Sequence, residues 1–181
     1  MDKLTIPRWE KVRISLRSTD TKTVREAAVA VGKFEAESLP EDVGDSIIGL
    51  FHHPDPEVRA EAVRAIGIHW RLERALDEVI ALLARESDWH VLISIMSALG
   101  ALGRAHPDRR RAARRVLASA ALNDRFDDFE RMLAYRELLY VEGRIEPKEY
   151  RRPDPPLTEQ LARFAEDRSW VEDLEHDRTK P

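Results

Sequence analysis

Of the residues in this chain whose types could do chemistry, four cations stand together. They are Arg110, Arg111, Arg114 and Arg115, within "PDRRRAARRVLASAAL". A guanidinium is a forked, permanent cation that pairs with carboxylates and phosphates. Binding of an acidic peptide, a phosphate-bearing ligand or a nucleic-acid backbone is therefore the chemistry this cluster could support. Histidines are the second group. His52 and His53 precede Asp55, and His90 follows Asp88 at a second turn of the same kind. Two such turns side by side could in principle bridge a metal ion, but turn histidines are ordinary surface residues and no metal is expected. His69 and His106 have no carboxylate at a telling spacing. The chain has no cysteine, which excludes disulfides, thiolate zinc sites and cysteine nucleophiles. It contains no Gly-x-Ser-x-Gly elbow, no Gly-x-x-x-x-Gly-Lys loop and no Gly-x-Gly-x-x-Gly fingerprint. The adjacent carboxylates Asp127-Asp128 and Glu172-Asp173 read as solvated faces. No catalytic residue and no cofactor is expected.

The elements that must carry these residues announce themselves by repetition. In "PDPEVRAEAVRAIGIH", residues 54–69, Asp55 suits a helix cap and Pro56 the first turn, where its missing N–H is not needed. Glu57 complements the positive end of the helix dipole. Val58, Ala62, Ala65 and Ile66 then fall at helical spacing, with Glu61 and Arg64 on the other side. "TVREAAVAVG" and "DWHVLISIMSALGALG" repeat the phrase. The intervening stretches recur as well: Leu16, Leu50, Leu83 and Val116 are spaced 34, 33 and 33 residues apart. "EDVGDSIIGLF", "RALDEVIALLAR" and "DRRRAARRVLASAAL" are the partner helices, and "PRWEKVRISLR" fits as a half unit, although Val12, Ile14 and Leu16 also alternate like a strand. Two helices per unit at this period predict an all-α, right-handed α-α superhelix of about four helical hairpins.

These phrases resemble HEAT repeats, most closely the short HEAT-like repeats of the phycobiliprotein-lyase type, over roughly residues 8 to 141. The resemblance implies a polar ladder between units, made by an aspartate in the turn and an arginine in the first helix. Asp55 and Arg59 match that pattern and Asp20 and Arg25 match it approximately; Asp88 is present, but Leu92 replaces the third arginine. It also implies that second helices line the concave surface. HEAT folds host scaffolds, transport receptors, lyases and glycosylases alike, so fold does not decide function.

Past residue 120 the aspartate-capped unit is lost. "NDRFDDFERMLAYRELLYVEG" reads as a divergent last helix, with Phe126, Phe129, Leu133, Tyr140 and either Met132 or Leu139 available to pack. The expected division is an array over 1–143, a proline-containing linker over 144–156, an amphipathic helix over 157–176 and a disordered tail over 177–181. The helix carries Leu161, Phe164, Val171 and Leu174 on one stripe, interrupted by Arg168, and is either docked on the array or mobile.

The totals narrow the function classes. Net charge is −4 and hydrophobic residues make up 43%, so nothing pulls the whole chain toward nucleic acid or anionic membrane. No stretch approaches the ~18 apolar residues of a spanning helix, and the N-terminus has no apolar signal region; a cytoplasmic protein is expected. With Asp108 as cap, Ala112, Ala113, Val116, Leu117 and Ala120 should pack inward and the four arginines face outward. Their like charges at i,i+4 cost roughly 0.2–0.5 kcal/mol per pair. Two explanations stay open: a basic binding stripe, or codon bias in a chain where arginine outnumbers lysine 24 to 6. Residues 154–181, with eight acids against four bases, could also cover the stripe from within the chain. The expected function is a non-catalytic adaptor that binds a protein partner, an acidic one being the best match, on the concave face. Arg74, Glu78, Arg110, Arg111, Arg114 and Arg115 are the contact candidates. Phosphate-backbone nucleic-acid binding is the alternative, and a bilin-lyase-like or other enzyme the second.

Overall fold

The computed structural model describes residues 8–35, 38–150 and 155–176. The chain runs through α1 (Arg8–Leu16), α2 (Thr21–Gly32), α3 (Glu41–Gly49), α4 (Pro56–Val63), α5 (Leu76–Arg85), α6 (Trp89–Ala105), α7 (Arg110–Leu122), α8 (Asp128–Val141), the single turn α9 (Pro147–Tyr150) and α10 (Leu157–His176). Among the described residues there is no strand, and none of their helices is long and apolar enough to cross a membrane. The first segment is thus a helix, with Val12 buried and Ile14 57% exposed.

The aspartates start the first helix of each unit. Asp20, Asp55, Asp88 and Asp127 are the N-caps of α2, α4, α6 and α8, each accepting from backbone N–H groups of the first turn. Asp127 adds a reciprocal capping box with Glu130, which holds the divergent last unit to the same design. These four helices pack on one another in order and form one layer. The second helices α1, α3, α5 and α7 cover it. Small residues let helices approach within the layer and across it: a Cβ on Gly67 would overlap Ala98 of the neighbouring first helix, and one on Gly103 would press on Ala113 of α7. Ile47, Ile66, Leu82, Ile95, Leu99, Leu117 and Leu138 fill the space between, each contributing about 1.5–3 kcal/mol by burial.

Helix α4 is not regular to its end. After Val63 it widens into a π-helical turn, Arg64–His69, in which Trp70 N–H donates to the Ala65 carbonyl at 3.0 Å. This brings the Trp70 indole N–H within 2.8 Å of the Val31 carbonyl on the preceding unit. Arg71 then turns the chain with φ +49°, a left-handed conformation that side chains rarely adopt.

Polar links between units differ from the ladder implied by the resemblance. The turn aspartates serve as caps, and the first-helix arginines reach glutamates of the next unit instead. Arg59 donates to Glu86 at 2.8 and 3.0 Å, and Arg25 pairs with Glu57. Leu92, in the third arginine's place, is buried. Its missing link is supplied by Arg125, which donates to the carbonyls of Leu83, Ala84 and Glu86 at the end of α5.

The C-terminal helix is docked. α10 lies against α7 and α8, in the place of a last second helix, with Phe164 and Val171 buried and Leu161, Trp170 and Leu174 half-buried. Arg168 points away and pairs with Glu172. Tyr135 of α8 meets Phe164 edge-on, ring centroids 5.1 Å apart, and donates its hydroxyl to Asp167 at 2.6 Å. Burial first, then that carboxylate, raise the Tyr135 pKa far above the ordinary phenol range. In α8, Met132 and Leu139 are both buried, whereas Phe129 is 54% exposed. The tail assigned to 177–181 lies outside the described residues.

Candidate partner-binding face

Helix α7 follows a 3-10 turn, Pro107–Arg109. Asp108 is therefore not its cap; Arg109 occupies that position, with no side-chain hydrogen bond to the first turn. Instead the Arg109 guanidinium reaches back to α5 and pairs with Asp77 at 2.5 Å. An ion pair of the same kind joins Arg74 to Asp45 of α3 at 2.9 Å, and another joins Arg13 of α1 to Asp42 at 2.6 Å. Second helices are stitched edge to edge by these arginine–aspartate pairs.

The packed arc of α7 is rotated from its expected position. Ala113, Leu117, Ala118, Ala120 and Ala121 are buried, while Ala112 and Val116 are half-buried. The cause is that α7 is gripped by α6 and α8 on one side and by α10 on another, so its alanine-rich side turns inward. That rotation splits the four arginines. Arg110 and Arg115 are exposed and Arg111 is half-buried. Arg114 is drawn into the contact with α8, 20% exposed and 3.8 Å from Glu142. The expected stripe of four outward charges is not one surface.

Arg74 is engaged within the array. It sits in the turn before α5 and faces α3, donating to Asp45 and to the Glu41 carbonyl. Glu78 is exposed, roughly half a turn around α5 from Ile80. Of the six candidates, Arg115 lines a recess. This is a groove of about 490 Å³ between α5 and α7, floored by Ile80, Ala112 and Val116, with Ser119 beside them and Glu175 and His176 of α10 closing one end. The first helices stay in close contact all along the layer, whereas α5 and α7 stand apart above α6. The groove follows from that divergence.

A model of HEAT repeats matches residues 45–138, more than half of the chain. The chain belongs to the HEAT-repeat family. The match is to HEAT repeats as a class and does not single out the lyase-type repeats. No curated protein and no solved structure matches significantly. The matched part of this HEAT array runs from α3 into α8 and contains both walls of the groove; the α10 end of the groove lies beyond it.

The histidines of the array are held by local contacts. Asp55 N–H donates to His53 Nδ1 at 3.1 Å, His52 Nδ1 lies 3.2 Å from Arg85, and His90 stacks on Trp89. Among the described residues no group of three or more histidines and carboxylates is placed to hold a metal ion. Several residues of the face were not singled out by sequence. The Arg109–Asp77 pair had a signal, since the two residues lie about one repeat apart, as Arg74 and Asp45 do. Glu142, Glu175 and His176 had none, because they reach α7 only through the docking of α8 and α10.

Proposed function

We propose that this HEAT array is a non-catalytic interaction module that receives a protein partner in the groove between α5 and α7. HEAT repeats generally mediate protein–protein interaction. The observation that carries the reading is the groove itself: an apolar floor of Ile80, Ala112 and Val116 beside an exposed guanidinium, Arg115. A segment with an apolar side chain for the floor and a carboxylate for Arg115 satisfies both. The protein reading is preferred over phosphate-backbone binding because Arg74, Arg109 and Arg114 already face carboxylates, which interrupts a basic track along this face among the described residues. The test is affinity capture from native lysate with wild type, Arg115→Glu and Ser119→Glu in parallel, and Arg25→Ser as a distant control. A protein retained by wild type and control and lost by both groove variants supports the reading. Equal recovery by all four, or recovery that ends on nuclease treatment, overturns it.

A further inference from the structure

On the opposite side of α6 a second recess combines several features that regular HEAT packing does not call for. It is a cleft of about 350 Å³ where the end of α4, α6, α8 and α9 meet. At its floor Glu137 is 1% exposed. Gly100 makes room for that carboxylate, since a Cβ there would overlap it. The Tyr150 hydroxyl donates to Glu137 at 2.5 Å, and the Tyr150 ring stacks on Tyr140 with centroids 4.0 Å apart and planes 17° apart. Arg104 covers the other side, its guanidinium 3.7 Å from the Tyr140 ring centroid and donating to the Tyr140 carbonyl at 2.7 Å. At the mouth stands Arg71, whose left-handed backbone is clamped by His106 Nε2, 2.6 Å from the Arg71 carbonyl.

The charges decide what such a cleft can hold. Many of this chain's arginines pair with carboxylates: Arg13, Arg25, Arg59, Arg74, Arg109, Arg114, Arg131 and Arg144 all lie within ion-pair distance of one. Arg71 and Arg104 are exposed and, among the described residues, neither forms an ion pair. Their side chains are nonetheless oriented, by the Ile68 carbonyl at 3.3 Å and by Tyr140 respectively. The Glu137 carboxylate at the floor accepts the Tyr150 hydroxyl. The two oriented guanidinium groups at the mouth outnumber it and attract an oxyanion, while Ile68, Ala101 and the tyrosine rings offer an apolar wall to the rest of the molecule. We propose that this cleft binds a small organic anion, with Arg71 and Arg104 holding its carboxylate or phosphate group.

Isothermal titration at fixed ionic strength tests this with three probes: benzoate, phenyl phosphate and inorganic phosphate. Saturable binding at one site is expected, tighter for an aromatic anion than for inorganic phosphate. Benzoate against phenyl phosphate separates a carboxylate site from a phosphate site. Arg71→Gly is the decisive variant, because glycine accepts the left-handed backbone and so keeps the fold while removing the guanidinium. It is expected to weaken binding roughly tenfold or more with no loss in Tm, and Arg104→Lys to weaken it with the charge retained. Arg110→Ser, an exposed arginine of α7, should bind as wild type. No saturable binding of any probe, or unchanged affinity in Arg71→Gly, overturns the proposal.

Discussion

The Arg59 guanidinium meets the Glu86 carboxylate at 2.8 Å across the boundary between two repeats, the two side chains 16% and 5% exposed. Arg59 also donates to the carbonyls of His53 and Pro54, and Glu86 accepts from the N–H groups of Ser87 and Asp88. Every polar group brought into this boundary thus has a partner, which is the condition under which a sheltered ion pair is tolerated. Arg59→Ala should cost about 3 kcal/mol by leaving Glu86 sheltered and unpaired. Replacing both residues with apolar ones should cost less than that single change. Urea unfolding of the two singles and the double mutant measures the coupling.

The same carboxylate sets an acid limit. Burial alone would raise the Glu86 pKa, but the hydrogen bonds from Arg59 and from the Asp88 and Ser87 N–H groups outweigh it and hold the pKa below the ordinary value. A depressed folded-state pKa means that the stabilisation is present above the unfolded value, ~4.3 for glutamate. It is lost as pH falls from there through the folded pKa. Wild-type stability should therefore drop from about pH 5 downward, and Glu86→Gln should flatten that part of the curve while lowering stability at pH 7. Identical pH slopes in the two proteins would remove this assignment.

Two glycines make opposite predictions. At Gly100 a methyl group would collide with the Glu137 carboxylate, whereas at Gly49, the last residue of α3, it would meet nothing within 4 Å. Gly100→Ala should destabilise by about 1–3 kcal/mol through overpacking. Gly49→Ala should stabilise by about 0.4–1 kcal/mol by restricting the unfolded chain. Thermal unfolding of both variants reads the contrast directly.

The docking of α10 rests on few anchors, so single changes should show it. Phe164→Ala is expected to cost about 3–5 kcal/mol. Tyr135→Phe should cost about 0.5–1.5 kcal/mol, because Asp167 loses the hydroxyl but keeps the Arg144 guanidinium. Both should speed amide exchange in α10 before the rest of the array. Exchange in α10 unchanged by Phe164→Ala would show that the helix is held by other means.

The α7 arginines should separate by variant. Arg110→Ser and Arg115→Ser sit on exposed positions and should leave stability within about 0.5 kcal/mol of wild type. Arg114→Ser removes a packed stem as well as a charge near Glu142 and should cost about 1 kcal/mol or more. Equal effects at all three positions would return the four arginines to one solvated face.

The repeat was legible in the amino-acid order because it is written in local terms. An aspartate that caps, apolar residues at helical spacing and a return of both after about one repeat length are properties of contiguous residues. They predicted the two-helix units and the positions of Asp20, Asp55 and Asp88. The candidate face was legible only in part. Which helix carries the arginines could be read from the repeat; how far that helix is rotated could not. Rotation depends on everything that grips α7, and one of those grips, α10, is about 50 residues further along the chain. Arg114 was therefore counted with the outward charges although packing draws it in.

The sequence by itself determined the class of fold, the register of the capped units and the absence of cysteine chemistry. Tertiary structure alone decided which arginines remain exposed, that Glu86 rather than an aspartate answers Arg59, and that Glu137, Tyr150, Arg104 and Arg71 share one cleft. The physical reason is range. Capping and helical periodicity act within a turn or two of chain, whereas ion pairing, burial and the opening between α5 and α7 depend on residues a full repeat or more apart.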